Sequence, residues 1–151
     1  MPKRKFTPKK GQIDFTDARY APVINTVVTK GGKVLLVQRS KNLNFYPGYW
    51  NGISGFLDDR QSIEQKVRGE LREELGIKAG DIAGIRRGNM IVQEAPDYNK
   101  TWLVMPILAT VDTDKFKLDW EAKTAKWFTP NQARKLKLLP GFDAVLAQFF
   151  R

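Results

Sequence analysis

The stretch GFLDDRQSIEQKVRGELREELGI, Gly55–Ile77, sets how the rest of the chain is read. Ser62 and Gln65 form the Ser-x-x-Gln signature of a capping box, and Gly76 stands where a left-handed C-terminal cap belongs. The spacing predicts a helix from about Ile63 to Leu75, with Ile63, Val67, Leu71 and Leu75 recurring every four residues as its buried stripe. Glu70, Glu73 and Glu74 fall at i, i+3 and i+4, so their carboxylates project from one adjoining face. Each like-charge pair on an isolated helix costs roughly 0.2–0.5 kcal/mol, so something should offset the crowding. Two readings stand at this point. Lys66, Arg68 and Arg72 balance a wet, mixed-charge face, or the three carboxylates bind a hard divalent cation such as Mg²⁺ or Mn²⁺, which takes oxygen ligands.

Upstream, YAPVINTVVTKGGKVLLVQRS (Tyr20–Ser40) holds two β-branched apolar runs around Lys30-Gly31-Gly32-Lys33, a hairpin signal with strands near Ala21–Thr29 and Val34–Arg39. Both runs are too continuously apolar for a one-sided sheet, which predicts cover on both faces. The segment from Asn42 to Gln61 is punctuated by Pro47-Gly48, Asn51-Gly52 and Gly55 and reads as loop and short strand. Downstream, Arg86–Glu94 and Thr101–Val111 read as strands of a second hairpin, Lys123–Phe128 as another strand, and TPNQARKL and FDAVLAQFFR as helices. The sum is an α/β fold, a mixed central sheet between helical layers.

At 151 residues, with 42% apolar and 28% charged residues, the chain fits one globular domain rather than a disordered segment. It has no cysteine and no histidine, which excludes disulfides, thiolate chemistry, imidazole ligands and His-based triads. No run of apolar residues approaches the roughly 18 that a membrane span needs, and no apolar signal segment follows the basic start, so the expectation is a cytoplasmic protein with no membrane partner. A net charge of +10 favours anionic partners. Lys3, Arg4, Lys5, Lys9 and Lys10 concentrate part of it in residues 1–18, read as a flexible basic arm ahead of a domain over 19–151. The arm leaves open a solvated tail or an RNA contact, and monomer and homodimer both stay open.

The whole stretch resembles the signature of the Nudix hydrolases: Gly, five residues, Glu, seven residues, Arg-Glu, aliphatic, any, Glu-Glu, any, Gly, aliphatic. Gly55, Glu70, Leu71, Glu73, Glu74, Gly76 and Ile77 match in register. Gln61 stands where the family has its first Glu and Gly69 where it has Arg, so the ion pair that orients the family's glutamates is absent. The flanks are similar too: the hairpin ending in Gln38-Arg39 before Pro47-Gly48-Tyr49-Trp50, and Trp127-Phe128 before a short helix.

The resemblance implies a Nudix-type α/β/α sandwich. It also implies hydrolysis of a pyrophosphate bond in a nucleoside diphosphate linked to another moiety, with a nucleotide or other diphosphate as partner. By the family pattern Glu70, Glu73 and Glu74, with the carbonyl of Gly55, would ligate Mg²⁺ or Mn²⁺. A glutamate of the box, Glu94 or Glu121 would take the proton of the attacking water, and Arg39 would bind substrate phosphate. Of the aromatics around Pro47-Gly48, Tyr46 is the candidate for stacking on a base, and Trp50 for packing in the core. The alternative is a weak or silent Nudix-like domain that binds nucleotide or RNA. Pro96 and Tyr98 lie a few residues beyond the positions that mark the family's ADP-ribose and diadenosine-polyphosphate branches, so no substrate is fixed.

Overall fold

Tyr20–Lys30 (β1) is the strand on which the other elements are hung, and its apolar run explains why. The computed structural model describes residues 7–151 of the chain. Ile24 and Val28 point to one face of the sheet and Val27 to the other, all fully buried, as the two-sided run of β-branched residues requires. Lys33–Arg39 (β2) turns back through Gly31 and Gly32, whose φ angles of 59° and 76° suit a two-residue hairpin loop. Trp50–Asn51 (β3) and Ile53–Phe56 (β4) follow, then the helix Ile63–Leu75 (α1).

One edge of β1 runs parallel to Lys100–Val111 (β7) along residues 20–29. Its other edge is shared, with β2 pairing at Val28–Lys30 and β4 at Val23–Thr26. The sheet therefore forks: β2 leaves to pair β3 and Ala122–Phe128 (β8), and β4 takes its place beside β1. A cleft lined by Arg39 of β2 and Gly55 of β4 opens at this fork. Helix α1 covers one face through Val67, Leu71 and Leu75, each fully buried and each worth about 1.5–3 kcal/mol in burial. Pro130–Arg134 (α2) and Phe142–Ala147 (α3) cover the other, packing Ala133, Phe142, Val145 and Leu146 onto Val27, Val34 and Leu36. This is the α/β/α sandwich with a mixed sheet.

Helix α1 begins and ends where its local signals lie. The Ser62 hydroxyl accepts from the backbone N–H of Gln65, the Gln65 side chain accepts from that of Ser62, and Gly76 closes the helix at φ 66°. Three expectations are corrected. The single strand Arg86–Glu94 is two, Ile82–Arg87 (β5) and Ile91–Ala95 (β6), both antiparallel to β7. The break faces Pro106 of β7, which has no N–H to give a ladder. The Gln148 side chain replaces the missing partners, accepting from Asn89 N at 2.7 Å and donating to its carbonyl at 2.8 Å. The C-terminal helix is also shorter than its apolar pattern: α3 ends at Ala147, and the chain leaves it through turns closed by Gln148 N donating to the Val145 carbonyl and Phe149 N to the Leu146 carbonyl. Lys66 does not lie on a wet face: it is buried and paired with Asp58 at 3.0 Å and Asp59 at 3.2 Å, while its charge still counters part of the rise in the pKa of Glu70.

Gly69 lies inside α1, and nothing approaches the place a Cβ would occupy within 4 Å. Gly69→Ala is expected to raise stability by about 0.5–1 kcal/mol in urea denaturation, since only the entropy of the unfolded chain changes. Gly76→Ala should lower it by a similar amount, because φ there is 66°.

Candidate functional site

Helix α1 presents three glutamates at different depths: Glu74 is buried, Glu70 is partly buried and Glu73 is exposed at the rim. The periodicity decides this, since Glu74 adjoins the Leu71 and Leu75 stripe while Glu73 lies a step further round the helix. Glu121, which directly precedes β8, comes to the same place. Glu74 is within hydrogen-bonding reach of both Glu70 and Glu121, a contact carboxylates make only by sharing a proton. Its Oε2 is buried and accepts from no hydrogen-bond donor among the described residues.

Burial raises the pKa of all three acids, and the neighbouring carboxylates add to it. Glu70 is pushed up to about 7, Glu74 goes well above the ordinary carboxylate range, and Glu121 also rises. Arg39, at the end of β2, is the nearby counter-charge. Its Nε donates to the carbonyl of Phe45 at 3.0 Å, and its guanidinium faces Glu121 and Glu74. Burial still lowers its own pKa.

Gly55 completes the cluster from β4. A Cβ there would lie 2.7 Å from Glu70 Oε1, so only glycine lets the strand approach this carboxylate. Among the described residues no three acids converge as a ready-made ion cage; Glu74 lies between Glu70 and Glu121 instead. The donor set nonetheless fits a hard divalent cation. It consists of oxygens only, it carries excess negative charge out of water, and one buried oxygen lacks any donor.

The cluster forms one wall of a cleft of about 790 Å³. Phe45, Phe56 and Trp102 form an aromatic wall, with Phe45 edge-on to Trp102 at 5.2 Å. Gln61 and Gly69 both line the cleft as well. Tyr46 is not free to stack: it is buried under Tyr98, its hydroxyl accepts from Trp102 Nε1 at 3.0 Å, and its backbone N–H donates to the Tyr98 hydroxyl. Trp50 packs edge-on against Phe128 in the core, the place expected for it from the sequence. Glu94 is not brought to the cluster. It is exposed on β6, accepting from the Thr101 hydroxyl and pairing with Arg19 at 3.5 Å. Of the two candidate bases outside the helix, the fold brings Glu121 alone to the glutamates.

Sequence reasoning missed Asp58 and Lys100. Asp58 reads as one of two loop aspartates, yet it is buried and binds both Lys66 and residues 12–13. Lys100 ends a turn-rich segment and looks like surface; it is among the most buried side chains of the protein. Neither position carries a local signal.

The NUDIX domain family matches residues 19–149. The chain belongs to the Nudix family. Human NAD-capped RNA hydrolase NUDT12 is 32% identical over 111 residues, 73% of this chain and 22% of that protein. NAD-capped RNA hydrolase NudC of Pseudomonas aeruginosa is 34% identical over 71 residues, 47% of this chain and 24% of that protein. The chain thus spans about a quarter of the length of these relatives. Among solved structures, a MutT Nudix hydrolase from Burkholderia pseudomallei superposes with a TM-score of 0.72 at 16% identity, covering 87% of this chain and 98% of that one. The Nudix domain of Shewanella oneidensis NrtR, solved with ADP ribose, gives 0.71 at 20% identity, covering 87% and 86%. These last two establish the Nudix fold. No helix among the described residues is long and apolar enough to cross a membrane.

In a Nudix protein free of metal, the raised acids make stability depend on pH. Glu70 and Glu74 take up protons on folding between their ordinary value of 4.5 and their raised folded values, so stability falls as pH rises through that window. For Glu70 the span from 4.5 to about 7 corresponds to about 3 kcal/mol. In the presence of a chelator, the melting temperature should drop between pH 5 and pH 8, and Glu74→Gln should flatten the drop. An equal drop in the variant would place its origin outside this cluster.

Proposed function

We propose that the chain is a Mg²⁺- or Mn²⁺-dependent pyrophosphohydrolase that cleaves the diphosphate of a nucleoside diphosphate linked to another moiety. The observation that carries this reading is the buried, partnerless Glu74 Oε2 inside a cluster of desolvated carboxylates. A protein that only displayed a charged helix face would leave these groups in water, where each is stable alone.

Glu70, Glu73 and Glu74, with the Gly55 carbonyl, are the residues that would hold the cation. When bound, the ion polarises a phosphoryl oxygen and lowers the pKa of a coordinated water. The remaining roles belong to the chain. Glu121, beside Glu74 and Arg39, is placed to hold the proton of the attacking water. Arg39, close to Glu121, counters part of the rise that burial imposes on that acid. Phe45, Phe56 and Trp102 offer an apolar wall against which a base or a nicotinamide ring can lie. The naming of two relatives as NAD-capped RNA hydrolases supports a dinucleotide-like diphosphate as the substrate class.

A second reading, a weak or silent binding domain, is favoured by Gln61 and Gly69, which leave the family's supporting ion pair unbuilt. A hydrolysis panel of nucleoside diphosphate derivatives with metal titration separates the two. Metal-dependent turnover should fall at least about 100-fold in Glu73→Gln and in Glu74→Gln. The double variant Gln61→Glu, Gly69→Arg fits sterically, since the space beside Gly69 is open. It should raise activity about tenfold if the site works with loosely held ligands. An inert wild type with an active double variant would decide for the silent domain.

A further inference from the structure

Residues 7–16 form one wall of the cleft, with Thr7, Lys9, Lys10, Gln12, Phe15 and Thr16 among its lining. Three attachments fix this wall. Phe15 stacks on Phe56 with ring centroids 6.1 Å apart. Asp58 accepts from Gln12 Nε2 at 2.9 Å and, through its carbonyl, from Ile13 N at 2.7 Å, while its other carboxylate oxygen accepts from Lys66 of α1. The buried Lys100 Nζ donates to the carbonyls of Phe15, Thr16 and Ala18. A buried ammonium that spends all three protons on one stretch of backbone is an unusual investment for a tail, because burying it opposes its charge.

The cations lining the cleft are Lys9, Lys10, Arg39 and Lys66. Lys66 is paired with Asp58 and Asp59, and Arg39 faces Glu121 and Glu74. In the pinned segment, Asp14 and Asp17 lie toward Lys100 and offset its charge. Among the described residues no carboxylate forms an ion pair with Lys9 or Lys10. Their charges are the ones left for a ligand.

We propose that Lys9 and Lys10, held on a segment pinned by Lys100, bind the phosphate oxygens of an anionic substrate in this cleft, with Lys100 as the positioning residue. This rests on reading the cleft as a diphosphate site, and it makes Lys9 and Lys10 part of the wall of the substrate pocket rather than of a solvated tail or an RNA contact.

Titration calorimetry with ADP on the full chain, at low and at raised salt, tests it. Lys9→Ala, Lys10→Ala should bind ADP about tenfold more weakly at low salt and lose most of the salt dependence. Lys100→Met should weaken ADP binding to the same degree and speed amide exchange across residues 7–18. Adding the two lysine changes to Lys100→Met should cost nothing further, since positioning acts only through them. ADP binding that is indifferent to Lys9→Ala, Lys10→Ala overturns the proposal, as do additive effects of Lys100→Met. Lysine-dependent ADP binding by a chain that hydrolyses nothing would keep this proposal and remove the hydrolase reading. A wild type that does not bind ADP removes this proposal, while the hydrolysis panel still decides the hydrolase reading.

Discussion

Glu74 carries an oxygen that no hydrogen-bond donor among the described residues satisfies, and the architecture around it keeps that oxygen out of water. The Ser62 capping box and Gly76 fix the ends of α1, and Val67, Leu71 and Leu75 seat it against the sheet, so Glu74 cannot rotate into water. Burial then opposes its charge, and Glu70 and Glu121 deepen the conflict. Protein interiors hold such a group only when neighbouring structure over-determines its position. The Arg39 guanidinium relieves part of the strain, and a divalent cation would relieve more.

The fork in the sheet makes room for this arrangement. Because β1 pairs β2 at one end and β4 at the other, Arg39 and Glu121 arrive from the β2–β8 branch while Gly55 arrives from β4. The glycine at 55 lets the strand lie against Glu70 where that carboxylate stands, since a Cβ there would come within 2.7 Å of its Oε1 and force the side chain to move. Asp58 then links the two sides of the cleft. Through Lys66 it grips α1, and through Gln12 and Ile13 it grips the N-terminal segment. A displacement of either wall is therefore felt by the other.

The described part of the N-terminal arm, residues 7–18, lies against the domain and contributes to its cleft; Lys3, Arg4 and Lys5 lie outside the described residues. Composition alone suggests solvation, because the arm has few apolar residues of its own. What holds it comes from elsewhere in the chain, an aromatic face at Phe56 and an ammonium at Lys100.

Local chemistry alone determined the limits of α1, the hairpin turn at Gly31-Gly32 and the capped start of α2, because caps, periodicity and turn glycines act within a few residues. The glutamate turn was legible for the same reason, and its register with Gly55 and Gly76 pointed to the Nudix family. Only the tertiary structure decided which distant groups join it. Glu121 and Glu94 are both acids near strand ends, but β8 follows β2 around the fork and brings Glu121 to Glu74, whereas β6 pairs with β7 and leaves Glu94 in solvent beside Arg19. Lys66 and Lys100 look like any surface lysines until the partners 58, 59 and 15 to 18 are folded onto them. Burial, unlike helix capping, is a property of what the rest of the chain places nearby, and no window of sequence contains it.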